Sequence, residues 1–111
     1  MADAASGEAE ERFERLTSRL ILEPTVSHGT GFGSSPGLRV RGRIFAMLAG
    51  GSLVAKLPRD RADQLVASGV GARFDPGHGR VMKEWVTVPA DRADDWDQLA
   101  GEAFAFVARQ S

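Results

Sequence analysis

The sequence predicts an α+β domain: a two-layer sandwich in which helices pack against a mainly antiparallel sheet, with elements in the order α-β3-α-β2-α. Two observations lead to this fold class. Apolar residues recur at helical spacing near both ends of the chain and once in the middle, and short apolar stretches separated by glycine turns lie between them. These strands are grouped instead of alternating with helices one for one, which is typical of an antiparallel meander. A chain of 111 residues is long enough for one such core.

The first helix is predicted over residues 7–22. Its apolar face carries Phe13 and Leu16, Ser6 is placed to cap its start, and Pro24 prevents it from continuing. Residues 1–7 are small and polar and are expected to be disordered, so the single domain is predicted over residues 8–109. The glycine-rich stretch that follows the helix indicates a loop, and an irregular first strand or edge is the alternative for a part of it.

The remaining elements follow from turn and helix signals. Gly42 and the Gly50–Gly51 pair mark turns in a three-stranded meander, Pro58 suits the first turn of a helix, and Pro89 ends the last strand. The predicted ranges are strands at 38–41, 43–48 and 52–57, a helix at 58–68, strands at 72–74 and 81–88, and a final helix at 91–109.

Four aromatic residues near the end of the chain are candidates for the core. Trp85, Trp96 and Phe104 are expected to pack the last helix against the sheet. Phe106 lies off the apolar stripe of that helix, so contact with another molecule is the alternative role for this residue.

Composition excludes several classes of protein. Hydrophobic residues make up 42% and charged residues 26% of the chain, which excludes a wholly disordered protein. The chain has no cysteine, so disulfides and thiolate chemistry are excluded. It has no apolar run near ~18 residues and no secretory signal at its start, so we expect a cytoplasmic protein without a membrane partner.

Positive charge is concentrated in the middle of the chain. Residues 36–90 carry nine Lys and Arg against four acids, a net charge of +5, and the segments on either side each carry −3. This pattern indicates contact with nucleic-acid phosphates or an acidic protein, or simple compensation between acidic helices and a basic sheet. For Arg39, Arg41 and Arg43 the alternative is that their charges protect an edge strand against association with other strands. The candidate contact residues are Arg39, Arg41, Arg43, Lys56, Arg80 and Lys83.

No catalytic, cofactor-binding or metal-binding residue is predicted. The Gly29–Gly33 motif resembles a phosphate-binding loop, but a strand follows it where such a loop needs a helix. His28 and His78 are the only histidines and lack the spacing of metal ligands. Because no nucleophile motif is present either, we expect a protein that is not an enzyme.

One family resemblance extends over roughly residues 10–108. It is carried by Gly31-Phe32-Gly33, Gly42-Arg43-Ile44-Phe45-Ala46, Leu53-Val54-Ala55-Lys56-Leu57, Phe74-Asp75-Pro76 and the strand from Trp85 to Pro89. These motifs resemble the TfoX (Sxy) N-terminal domain, and the MmcQ/YjbR-like family is a weaker match. The resemblance implies the same α-β3-α-β2-α fold and brings no agreed catalytic residues. This sequence departs from the TfoX pattern at Ser34, which follows the glycine motif. It is also expected to lack the second helical domain of those proteins.

The resemblance implies a non-catalytic regulatory or protein-interaction domain that acts as a monomer or a homodimer. An unknown protein is the first expected partner, reached through a sheet edge, the basic hairpin or Phe106. The alternative is weak DNA binding through the hairpin that carries Arg39, Arg41 and Arg43. A second alternative is a small ligand-binding protein or enzyme that uses the loop around His78.

Overall fold

A computed structural model of the protein describes residues 3–30, 36–74 and 82–110. Its elements are α1 (Asp3–Leu20), β1 (Val26–Thr30), β2 (Pro36–Val40), β3 (Arg43–Ala49), β4 (Ser52–Lys56), α2 (Arg59–Ala67), β5 (Ala72–Phe74), β6 (Met82–Val88), a 3-10 segment (Ala90–Asp95) and α3 (Trp96–Gln110). The strands form one antiparallel sheet in the order β1-β2-β3-β4-β6-β5. None of the helices in these ranges is long and apolar enough to cross a membrane.

The α+β fold class is confirmed, but the meander has four strands where the predicted order has three. The additional strand is β1, in the glycine-containing stretch where an irregular edge strand was one alternative. It contains Val26 as its single large apolar residue, so the alternation that marks a strand is not visible in the sequence. Pairing with β2 over five consecutive residues holds it in the sheet.

Two helix starts differ from the prediction. Helix α1 begins at Asp3, so Ser6 lies inside the helix and its predicted role as the N-cap is wrong. The final helix begins as the 3-10 segment, which has non-helical dihedral angles at Arg92 (φ −112°, ψ 25°), and becomes α-helical at Trp96. The indole Nε1 of Trp96 donates a hydrogen bond to the Pro89 carbonyl at 3.3 Å, which fixes this change of direction.

Two hairpin turns set the register of the central strands. Arg41 (φ 53°) and Gly42 (φ 83°) connect β2 to β3, and Gly50 (φ 59°) and Gly51 (φ 76°) connect β3 to β4. Two successive residues with positive φ form the tight turn whose twist matches that of antiparallel strands, and glycine adopts it without steric cost.

The main core lies between one face of the sheet and the three helices. Leu16 of α1, Phe45 of β3 and Leu99 of α3 are almost fully buried there. The rings of Phe45 and Phe104 meet edge to face with centroids 5.8 Å apart, a geometry that contributes about 0.5–1.5 kcal/mol beyond burial. Within the described ranges, the helices therefore cover this face and leave the opposite face of the sheet without a helix.

Candidate functional site

The face of the sheet opposite the main core, called here the helix-free face, carries a second apolar cluster. Gly37, Met47, Val54 and Thr87 occupy one cross-strand row, and cross-strand partners point to the same side of a sheet. Met47, Val54 and Trp85 are buried there, separately from the main core, and no helix in the described part of the chain contributes to this cluster.

The location of Trp85 corrects one prediction. Trp96 and Phe104 do pack α3 against the sheet, but Trp85 lies on the helix-free face beside Lys56 and is only 5% exposed. The sequence could not distinguish the two faces because Trp85 and its neighbour Val86 are both buried. Phe106 is half-buried and packs against the main core, which leaves little of its ring for a partner.

Two of the predicted basic residues lie on the helix-free face. Arg39 is paired across strands with Ile44, and Lys56 is paired with Trp85. Lys83 is exposed near the start of β6, where the register with β5 shifts. Glu84, the one acidic residue in the described strands, alternates to the opposite side. Within the described strands, the cations of this face and the carboxylate of Glu84 therefore lie on different sides of the sheet.

Arg39 holds a fixed position on this face. An added Cβ at Gly29 would clash with the Arg39 Nε and would lie 2.7 Å from its Cδ, so the arginine side chain crosses β1 directly over Gly29. Its Nη1 donates a weak hydrogen bond to the Gly42 carbonyl at 3.4 Å. Glycine at this position of β1 is thus explained by the close approach of a side chain.

Arg41 and Arg43 extend the basic surface beyond the end of the sheet. Both are exposed: Arg41 is the first residue of the tight turn between β2 and β3, and Arg43 follows the turn as the first residue of β3. The two strands and this turn are called here the β2–β3 hairpin. Because β1 covers the side of β2, this hairpin is internal and its arginines do not protect an edge strand. Arg39, Arg41 and Arg43 lie close together along this hairpin, but the cross-strand partner of Arg43 is Val40 of the main core, so Arg43 and Arg39 belong to opposite sides of the sheet.

Three of the predicted features fall wholly or mostly outside the described part of the chain. Arg80 and the His78 loop lie outside the described residues, and so does most of the Gly29–Gly33 motif. His28 is exposed on β1, and the described residues contain no group of three or more His, Asp and Glu side chains that could hold a metal ion.

Negative charge is concentrated on the opposite side of the molecule. Twelve of the fifteen acidic residues belong to the helices or the 3-10 segment. Some of them pair with the arginines of that layer, as in Arg12–Asp94 at 3.2 Å and Arg19–Asp97 at 2.8 Å. Along the chain the charges form a basic middle between acidic ends, and the fold converts that order into a basic face and an acidic layer.

The strongest of these ion pairs connects α2 to α3. Arg61 donates to both carboxylate oxygens of Glu102, at 2.8 and 3.1 Å, and Gln98 donates a further hydrogen bond. Burial raises the pKa of Glu102, but the hydrogen bonds from Arg61 and Gln98 outweigh this effect and hold the pKa below its ordinary value. Arg73 of β5 pairs with Asp63 of α2 through one guanidinium nitrogen and one carboxylate oxygen, a contact that the sequence analysis missed.

Comparison with known proteins adds one finding. A family model described as YjbR matches residues 23–104. This is the family that the sequence resembled less strongly, and the similarity to the TfoX N-terminal domain is not shown. A search of curated proteins finds no match, and a search of solved structures finds none either.

Proposed function

Because the chain belongs to the YjbR family, and its described helices leave one face of the sheet without a helix, we propose that it is a non-catalytic regulatory domain that binds a polyanion. The partner that fits the surface best is the phosphate backbone of DNA. The contact residues in this proposal are Arg39, Arg41, Arg43, Lys56 and Lys83. A cytoplasmic location, where such a partner is accessible, is part of the same proposal.

The separation of charge is the observation that carries this proposal. Most of the described carboxylates lie in the helical layer, and the helix-free face presents cations from β2 and β4, with Lys83 exposed near the start of β6. Phosphate contacts need positive charge within a few ångströms and no particular side-chain pocket. A basic face therefore attracts a polyanion locally even though the whole chain has a net charge of −1.

The accessible surface favours charge over apolar contact. The apolar centre of the helix-free face is closed, because Met47, Val54 and Trp85 are buried. Leu22 is the single large apolar side chain that is strongly exposed in the described part of the chain. A protein partner that relied on an apolar hot spot would find little to contact.

A second candidate partner is an acidic protein segment on the same face. The observation in its favour is that Ile44, Ala49 and Phe74 are half-buried around the closed centre and offer some apolar contact beside the cations. DNA backbone binding does not need these side chains. Substitution of Phe74 therefore distinguishes the two partners.

The test is a binding titration with matched arginine variants. Labelled duplex DNA is titrated at low salt with the wild type, with Arg41→Ala/Arg43→Ala, and with Arg15→Ala/Arg109→Ala, which removes the same charge from exposed positions in the helical layer. We expect the hairpin variant to bind at least tenfold more weakly and the helical-layer variant to change by less than threefold.

Equal losses in the two double variants would mean that only net charge matters and would overturn the assignment of the face. Phe74→Ala is expected to leave DNA affinity within twofold of the wild type. A large loss of DNA affinity from Phe74→Ala, with intact folding, would contradict backbone recognition on this face.

A further inference from the structure

Strand β1 is an open edge of the sheet. It pairs with β2 in an unbroken register over five residues and carries no proline and no Lys, Arg, Asp or Glu, the residues that commonly block further pairing. The other edge, β5, has three residues, a register shift and the Arg73–Asp63 pair. Of the two edges among the described strands, β1 is therefore the one suited to accept another strand.

The backbone of His28 points away from the sheet. The Arg41 N–H donates to the Thr25 carbonyl at 3.0 Å, so alternation along an antiparallel pair gives ladder hydrogen bonds to Ser27 and Gly29 and directs the N–H and C=O of His28 outward. The Val26 N–H fits this alternation of inward and outward groups, because it donates to the Glu23 carbonyl and not to β2. His28 thus offers one donor and one acceptor to a new strand.

A groove runs between α1 and this edge. Its volume is about 370 Å³, and it is lined by Phe13, Glu14 and Thr17 of α1 together with His28 and Gly29 of β1. The side chain of His28 faces the same layer, since its cross-strand partner Leu38 belongs to the main core.

A second groove of about 440 Å³ shares Phe13, Glu14 and Pro36 with the first and reaches Leu48. The exposed carboxylates of Glu10 and Glu14 form the rim of this second groove, and no Lys or Arg lines either groove within the described residues. The combined site has an apolar floor and a negative rim.

We infer that β1 and these grooves bind an extended peptide with basic side chains, which joins the sheet as a seventh strand. Its main chain exchanges hydrogen bonds with His28, and its alternate side chains enter the grooves beneath α1, where Glu10 and Glu14 attract positive charge. This site is independent of the proposed DNA contact, because the grooves lie on the helical side and the cations lie on the helix-free face.

Charge disfavours a second copy of the chain as the occupant. Antiparallel pairing of two β1 strands about a twofold axis places both helical layers on the same side of a continuous sheet. Two α1 helices, each with five carboxylates and three guanidinium groups, would then meet across the junction. A basic peptide neutralises this charge, whereas a second copy doubles it.

The experiment measures the affinity of three fluorescent eight-residue probes for the full chain: alternating lysine and valine, alternating glutamate and valine, and the lysine peptide with N-methylated alternate amides. We expect the lysine peptide to bind at least tenfold more tightly than either of the others. His28→Pro removes the outward N–H without breaking the β1–β2 ladder and is expected to weaken binding at least tenfold. The control His28→Thr keeps that N–H and is expected to stay within twofold of the wild type.

Several results would overturn the inference. These are equal binding of the lysine and glutamate peptides, equal binding of the N-methylated peptide, or undiminished binding by a folded His28→Pro variant. If His28→Pro does not fold, the N-methylated peptide provides the same test. Methylation removes the peptide N–H groups that would donate to the outward carbonyl of His28. A homodimer in sedimentation that His28→Pro converts to a monomer would also contradict the inference, since a second copy would then occupy the edge.

Discussion

The substitution Gly71→Ala tests the packing of β5 against β6. A Cβ at residue 71 would lie 2.5 Å from the Val86 Cγ1 and 3.1 Å from the Thr87 carbonyl oxygen, both too close for unstrained contact. Val86 is fully buried and Thr87 is held in the ladder with β4, so neither has room to move aside. Overpacking of this kind costs about 1–3 kcal/mol of unfolding free energy.

A matched substitution has the opposite expected sign. Gly101 lies inside α3 with no atom within 4 Å of an added Cβ. Alanine there removes the entropic penalty of glycine in a helix, so Gly101→Ala is expected to stabilise the protein by about 0.5–1 kcal/mol.

Urea denaturation followed by circular dichroism measures both changes in unfolding free energy. The midpoints are expected to move in opposite directions at an unchanged slope. Val86→Ala provides a double-mutant cycle: the cost of Gly71→Ala is expected to be smaller when the Val86 methyl groups are absent. A neutral or stabilising Gly71→Ala, or additive effects in the cycle, would refute this reasoning about β5.

Three further predictions concern single side chains. Glu102→Gln is expected to lower the free energy of unfolding by about 1 kcal/mol at neutral pH. Because the folded pKa of Glu102 is lowered, the carboxylate stabilises the fold above the unfolded pKa near 4.5, and this stabilisation is lost as the pH falls through the folded pKa. The urea midpoints of the variant and the wild type should therefore converge in acid. Thr17→Val is expected to stabilise the protein by about 1 kcal/mol in thermal unfolding, because the buried Thr17 hydroxyl has no hydrogen-bond partner among the described residues; a lower melting temperature would contradict this. Trp85→Ala is expected to cost about 3–5 kcal/mol because the indole is buried, and a loss below 1 kcal/mol would mean that the helix-free cluster does not stabilise the fold.

The positions of helices and strands were predictable from the sequence where the spacing of apolar residues was regular. The strands from β2 to β4, the short β5 and the helix α2 lie within two residues of their predicted ranges, because each is bounded by a glycine turn or a proline. Strand β1 was only one alternative, since its stability comes from pairing with β2 and from the Arg39 side chain over Gly29. Neither contact leaves a local signal in the sequence.

The candidate site was predictable in composition and not in position. The sequence identified Arg39, Arg41 and Arg43 as a basic hairpin from their spacing alone. It could not show that the hairpin is internal to the sheet, because this depends on β1. It also could not place Trp85 on the helix-free face, because strand β6 is apolar on both of its sides.

The salt dependence of DNA binding tests the central claim most directly. Fluorescence anisotropy of a labelled duplex is measured at about 50 and 200 mM salt with the wild type and with Arg41→Ala/Arg43→Ala. Three to five phosphate contacts predict a loss of roughly 40- to 500-fold in wild-type affinity between the two conditions, and a shallower salt slope for the variant by about two contacts. Absence of binding at 50 mM salt, or the same slope for both proteins, would contradict the proposal that the helix-free face and its hairpin bind DNA.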